Sequence, residues 1–217
     1  MAREYDLIAI GAGSGGLATA RRAARHGARA AVVESGRLGG TCVNVGCVPK
    51  KVMWNAAQAM DLLQRVGDYG IVLGGQSPTL DWATLKSRRD AYVQRLNGIY
   101  QRNLDNDGVE LIRGVGRLGP DREVIVGDSR LRAEHIVLAT GGQPLWPDIP
   151  GAGLGIDSDG FFDLATRPQR VAVVGAGYIA VELAGVLASL GSTVSLVVRR
   201  DEPLRGFDAI LREGLLE

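Results

Sequence analysis

The 217-residue chain is 46% hydrophobic, enough to bury a substantial core in one large domain or two small ones. Its 25 basic and 24 acidic side chains nearly cancel, which excludes a global field able to hold a nucleic acid backbone or an anionic membrane surface. No apolar run approaches the roughly 20 residues that span a bilayer and no signal-peptide core precedes the first strand, so a soluble, cytoplasmic protein is expected.

In chain order, Tyr5 to Ile10 is a short apolar run that closes in Gly11-Ala12-Gly13-Ser14-Gly15-Gly16, a buried strand entering a glycine-rich turn. Leu17 to His26 are helix formers, Gly27 supplies a stop, and Ala28 to Glu34 reads as a second buried strand. This βαβ unit of about thirty residues opens a dinucleotide-binding fold. Gly11, Gly13 and Gly16 supply the tight turn, the close backbone approach to a pyrophosphate and the close helix–strand packing, with Ser14 and Gly15 at the positive end of the helix. Glu34, at the end of the second strand, is placed to bind a ribose diol.

Next comes Gly39-Gly40-Thr41-Cys42-Val43-Asn44-Val45-Gly46-Cys47-Val48-Pro49-Lys50, which holds both of the chain's only cysteines. Two cysteines are too few for a disulfide scaffold, and the second pair that a structural zinc site requires is missing, so no metal is expected. Thiols five positions apart close a small ring only on a distorted backbone, and Pro49 fits the opening of a helix whose positive end would favour thiolate over thiol. Glycines and a lysine beside them argue for a catalytic role over core packing.

The residues 49–66 and 82–104 carry apolar side chains at helical spacing, whereas 109–112, 123–126 and 135–139 read as strands of a central antiparallel β-meander. The Pro- and Gly-rich stretch from Gly141 to Gly151 reads as a linker, which divides the chain into residues 1–141 and 142–217. After it, Val171 to Val174 runs into Gly175-Ala176-Gly177-Tyr178-Ile179-Ala180, a helix to Leu190 and a strand from Thr193 to Val198. This second dinucleotide motif has no acid at its strand end. Arg199 and Arg205 stand there instead, suited to clamp a 2′-phosphate that an acid would repel. The expected architecture is therefore α/β with two Rossmann-like dinucleotide-binding domains, the second only its first half, because the apolar-periodic stretch Phe207 to Leu216 precedes any further strand. Met53, Trp54, Met60, Leu62 and Leu63 read as core, and neither His26 nor His135 reads as a catalytic base.

The run from Gly39 to Lys51 resembles the active-site signature of the flavoprotein disulfide reductase family, and the resemblance extends over the whole chain. It implies FAD in the first domain and NADPH in the second, serving cell redox homeostasis. Cys42 is then the interchange thiol that attacks the substrate disulfide, Cys47 is the thiol that contacts the flavin, and the two form the redox-active disulfide. Thr41, Thr140 and Gly141 stand at further flavin contacts. Lys50 and Glu182 stand where the family pairs a lysine with a glutamate near the flavin N5, and Tyr178 resembles the tyrosine that covers the flavin until nicotinamide displaces it. Gly175, Ala176, Gly177, Ile179, Arg199 and Arg205 complete the NADPH contacts.

Within the family, Val48-Pro49-Lys50-Lys51-Val52-Met53-Trp54 is closer to members that reduce glutathione disulfide than to lipoamide dehydrogenases. Ser14, Arg21 and Tyr100 occupy positions that resemble the glutathione contacts. Trypanothione-specific relatives place an acid and a tryptophan near the positions held here by Ala18 and Arg21. The resemblance also implies a homodimer, in which a C-terminal His…Glu motif of the other subunit supplies the acid; these 217 residues contain no such segment. Two alternatives stay open: another disulfide reductase of the mercuric, thioredoxin or lipoamide type, and a nucleotide-binding fragment without turnover.

Overall fold

The structure, a computed structural model, describes residues 3–74 and 78–217. The chain divides into two compact units, Met1–Pro49 with Asp90–Asp159, and Lys50–Arg89 with Gly160–Glu217.

The first unit is built on a six-stranded sheet in the order β3-β2-β1-β6-β5-β4. Its strands are β1 (Arg3–Ile10), β2 (Ala30–Glu34), β3 (Glu110–Arg113), β4 (Gly116–Leu118), β5 (Glu123–Val126) and β6 (Ser129–Leu138). β1 pairs in parallel with β2, Leu7 opposite Ala30 and Ile10 opposite Val33, and in parallel with β6, Ile10 opposite Leu138. The apolar run of β2 is explained by burial on both faces: alternate residues Ala31 and Val33 join one core with Ile8 and Ile10, while Ala30 and Val32 join a second with Ala9, Leu17 and Ala20. Leu17 and Ala20 lie on α1 (Ser14–Arg25), whose buried stripe covers the sheet.

The antiparallel meander is β4-β5-β6. The expected strand at 109–112 is not part of it. As β3 it pairs in parallel with β2, and the first meander strand is the three-residue β4, too short to carry a period.

The second unit contains β7 (Arg170–Val174), α6 (Tyr178–Ser189) and β8 (Thr193–Val197), a parallel pair with Val171 opposite Val194 and Val174 opposite Val197. A final helix, α7 (Ala209–Leu216), follows. Helices α3 (Cys47–Arg65), α4 (Trp82–Asn106) and α5 (Ser158–Asp163) are each divided between the units. In the second unit Trp82 and Phe161 meet edge to face at 6.5 Å, Phe161 and Phe162 at 5.0 Å, and the Trp82 indole donates to the Leu164 carbonyl at 2.9 Å. The segment that supplies these two phenylalanines belongs to the second unit, which resumes at Gly160, whereas the linker composition marks Gly141.

Candidate functional site

The first glycine motif is held at Gly11 and Gly16 by contacts that tolerate no side chain. A Cβ at Gly11, where φ is +106°, would stand 2.1 Å from the Ala139 carbonyl oxygen, and one at Gly16 would stand 1.8 Å from the Gly11 oxygen. The turn thus packs against the end of β6, next to Thr140 and Gly141. Helix α1 begins at Ser14 after Gly13, with no side-chain cap and no acid in its first turn, so its leading N–H groups and positive dipole end are presented to an anion. The Glu34 carboxylate accepts from Ala12 N at 2.7 Å and from Gly36 N at 2.6 Å, tying the end of β2 to the same turn.

The cysteine motif is seated on that turn. Gly39 N donates to the Ala12 carbonyl at 2.8 Å, and a Cβ on Gly40, where φ is +60°, would lie 2.7 Å from Gly13 Cα. Two glycine backbones therefore touch, one from each motif. Gly40→Ala combines a backbone clash with a left-handed conformation and is expected to cost about 2–4 kcal/mol of stability. Denaturant unfolding of the variant beside the parent measures it.

Cys42 lies in the short helix α2 (Gly40–Asn44), half-buried, and exposed Cys47 is the first residue of α3. Both are thiols here. Burial pushes the Cys42 thiol above its ordinary value, and a hydrogen bond and the charge of Cys47 push the same way, against a bond from the Cys47 backbone that lowers it. The lowering expected from a nearby helix start enters through that backbone bond, since Cys47 opens α3, and burial, the larger influence, outweighs it. Gly46 folds the chain back so closely that a Cβ there would lie 2.8 Å from the Thr41 oxygen and 3.2 Å from Cys42 Cα.

Two residues that sequence reasoning passed over hold this segment. Asn44 Nδ2 donates to the Gly40 carbonyl at 2.8 Å and the Leu38 carbonyl at 3.0 Å, and Asn97 Nδ2 donates to the Leu38 carbonyl at 2.7 Å and to Asn44 Oδ1 at 3.0 Å. The available signal was an asparagine in the interior of a helix, where its propensity is poor.

Arg21 is not a free cation. Its Nε donates to Asp107 Oδ2 at 2.6 Å, and Arg25 Nε donates to Asp107 Oδ1 at 3.0 Å. Hydrogen bonds from Arg25 and then Arg21 hold the Asp107 carboxyl below its ordinary value. A depressed folded pKa contributes stability that is complete above the ordinary value near pH 4 and is lost as pH falls through the lower one. Asp107→Asn should therefore lower the melting temperature at pH 7, and the gap from the parent should shrink on acidification to pH 3. Thermal melts at both pH values check it. Tyr100 packs half-buried against the core that includes Leu17 and Leu104, while Ser14 is exposed.

In the second unit Lys50 Nζ lies 2.6 Å from Glu182 Oε1, with 22% and 39% of the side chains exposed. Tyr178 opens α6 and is 57% exposed, next to Gly177, which caps a helix that again has neither a side-chain cap nor an acid in its first turn. Gly175 N donates to the Val197 carbonyl at 3.0 Å. Leu204, left-handed at φ +55°, donates through its N–H to the Ala176 carbonyl at 2.7 Å and so draws the loop carrying exposed Arg199 and Arg205 onto the second glycine motif. No helix among the described residues is long and apolar enough to cross a membrane.

The described residues thus contain two βαβ openings of the dinucleotide-binding type, a pair of neighbouring thiols and a lysine–glutamate pair. The sequence pattern of the family described as pyridine nucleotide-disulphide oxidoreductase matches residues 5–217, and the chain belongs to that family. It is 50% identical over 225 aligned positions to the glutathione reductase of Schizosaccharomyces pombe (strain 972 / ATCC 24843), covering 100% of this chain and 48% of that protein. It is 49% identical to the glutathione reductase of Yarrowia lipolytica (strain CLIB 122 / E 150), covering 98% of this chain and 48% of that protein. The chain thus spans about half the length of the curated relatives it matches.

Proposed function

We propose that the protein reduces glutathione disulfide with NADPH, through FAD and the Cys42/Cys47 pair, in the cytoplasm and as a homodimer. The observation that carries this reading is the seating of the cysteine motif on the first glycine turn, where Gly39 N bonds the Ala12 carbonyl and Gly40 meets Gly13. This seating supports a reading in which the motif carrying the thiols adjoins a bound dinucleotide pyrophosphate. Both relatives carry the name glutathione reductase, which favours that substrate over other disulfides.

The residues fit FAD by two features: a turn that excludes side chains at Gly11 and Gly16, and an uncapped helix N-terminus behind it. Gly11, Gly13, Ser14, Gly15 and Gly16 would hold the pyrophosphate, Glu34 the ribose, and Thr41, Thr140 and Gly141 further parts of the cofactor. In the second unit, Gly175, Ala176, Gly177 and Ile179 would take NADPH, with Arg199 and Arg205 on its 2′-phosphate. Residues 1–141 then form the FAD-binding domain, and 142–217 the linker and opening half of the NADPH-binding domain.

In the working cycle the Cys42 thiolate attacks one sulfur of glutathione disulfide; the S–S bond breaks and one glutathione thiolate leaves, taking a proton. The Cys47 thiolate then attacks the Cys42 sulfur, which releases the second glutathione and forms the Cys42–Cys47 disulfide. FAD, when bound, supplies the passage of two electrons from NADPH that restores both thiols. The Lys50–Glu182 pair would hold the lysine ammonium near the flavin. The acid for the leaving thiolate we place on a histidine of the partner subunit's C-terminal segment. Ser14, Tyr100 and Arg21 would contact glutathione; Asp107 engages Arg21 through Nε, and its two terminal nitrogens carry no hydrogen bond among the described residues.

The complete protein, purified with its flavin and assayed for NADPH oxidation with glutathione disulfide, lipoamide and trypanothione disulfide, tests the reading. A kcat/KM highest for glutathione disulfide is expected; a preference for either of the others overturns it.

A further inference from the structure

Helix α2 spans five residues, too few to hold itself by its own backbone bonds, and its leading residue Gly39 offers no side-chain cap. It nevertheless carries Cys42. What stabilises it is a pair of side-chain amides whose four N–H groups are all used. Asn44 turns its amide back onto the Gly40 and Leu38 carbonyls, closing the start of α2 from within. Asn97 reaches in from α4, 53 positions along the chain from Asn44, and donates to the Asn44 oxygen and to the same Leu38 carbonyl. Leu38 is itself 2% exposed, so this anchor is fixed by core packing. Past Asn44 the chain turns at Val45 and Gly46 straight into Cys47. One end of the ring that a Cys42–Cys47 bond would close is therefore clamped to α4 by way of Asn44.

We propose that Asn97, acting through Asn44, is a positioning residue that holds Cys42 and Cys47 in apposition and thereby sets the reduction potential of the pair. The proposal rests on the reading of these thiols as a redox couple. Asn97 bonds only an oxygen of Asn44 and a backbone carbonyl, so its influence on the sulfurs is conformational. Disulfide formation within a chain depends on the effective concentration of one thiol at the other. A loose six-residue segment loses backbone freedom when the ring closes, whereas a clamped one has lost much of it already. Contact of Cys42 with both the side chain and the backbone of Cys47 is consistent with thiols held in place before they are joined.

The test is the thiol–disulfide equilibrium of the complete protein in mixtures of reduced and oxidised dithiothreitol, followed by alkylation and mass spectrometry of the peptide carrying both cysteines. Closure joins the two Sγ atoms and passes two electrons and two protons to oxidised dithiothreitol, whose S–S bond opens to two thiols. Asn97→Ala is expected to lower the closure constant about tenfold, a potential about 30 mV more oxidising. Asn97→Asp, of the same size but setting a carboxylate against two oxygens, should shift it at least as far, and it serves if the alanine variant does not fold. Gln101→Ala, which loses a bond to Asp105 on the same helix, should leave the constant unchanged. Closure constants at the parental value in the Asn97 variants, with lowered melting temperatures, would reduce the amides to fold stabilisers and overturn the proposal. A parent protein that forms no Cys42–Cys47 bond at any ratio would instead sink the redox-pair reading, and this inference with it.

Discussion

Replacing Cys42 or Cys47 by serine in the complete protein is expected to abolish turnover of glutathione disulfide, by on the order of a thousandfold or more, because each thiol makes a bond that no other group in the chain can make. The two losses should differ in kind. Cys42→Ser should keep the long-wavelength absorbance that a thiolate against the flavin produces, since Cys47 is still present, and Cys47→Ser should lose it. The structure gives the two thiols different surroundings, half-buried in α2 and exposed at the start of α3. Spectra recorded on both reduced variants separate the roles, and identical spectra would contradict the assignment.

Replacing Arg199 and Arg205 together by neutral residues is expected to collapse a preference for NADPH over NADH. A charge-assisted contact to a phosphate contributes about 1.5–3 kcal/mol, so two give about 3–6 kcal/mol, on the order of a hundredfold to ten-thousandfold in preference. Both arginines are exposed, and screening by salt favours the lower end. The loss should fall on NADPH alone, as a raised KM, because NADH lacks the phosphate they would contact. Steady-state kinetics with both cofactors measure it. A double variant that keeps the parental preference would show that 2′-phosphate recognition lies elsewhere.

The dinucleotide openings were legible because each rests on local rules: an apolar run, glycines at fixed offsets, then helix formers, with a second strand about thirty residues from the start. The partner strands were legible only where a period could establish itself. β4 is three residues between glycines, and α5 is one short turn whose importance comes from burying Phe161 and Phe162. Long-range polar partners left no trace in the local pattern. Arg21 meets Asp107 across 86 positions, and Asn97 meets Leu38 across 59, distances over which spacing carries no information. For the cysteine motif the sequence offers a nearby helix start, whereas the burial that raises the Cys42 pKa is determined only by the fold.

The central claim is that Cys42 carries the electrons to glutathione disulfide. The direct measurement is to mix the complete Cys47→Ser variant, with Cys42 reduced, with glutathione disulfide and locate the adduct by mass spectrometry. With the resolving thiol removed, the account predicts one glutathione held as a mixed disulfide on Cys42. A variant that consumes glutathione disulfide without modification at Cys42, or carries the adduct at another residue, would contradict it.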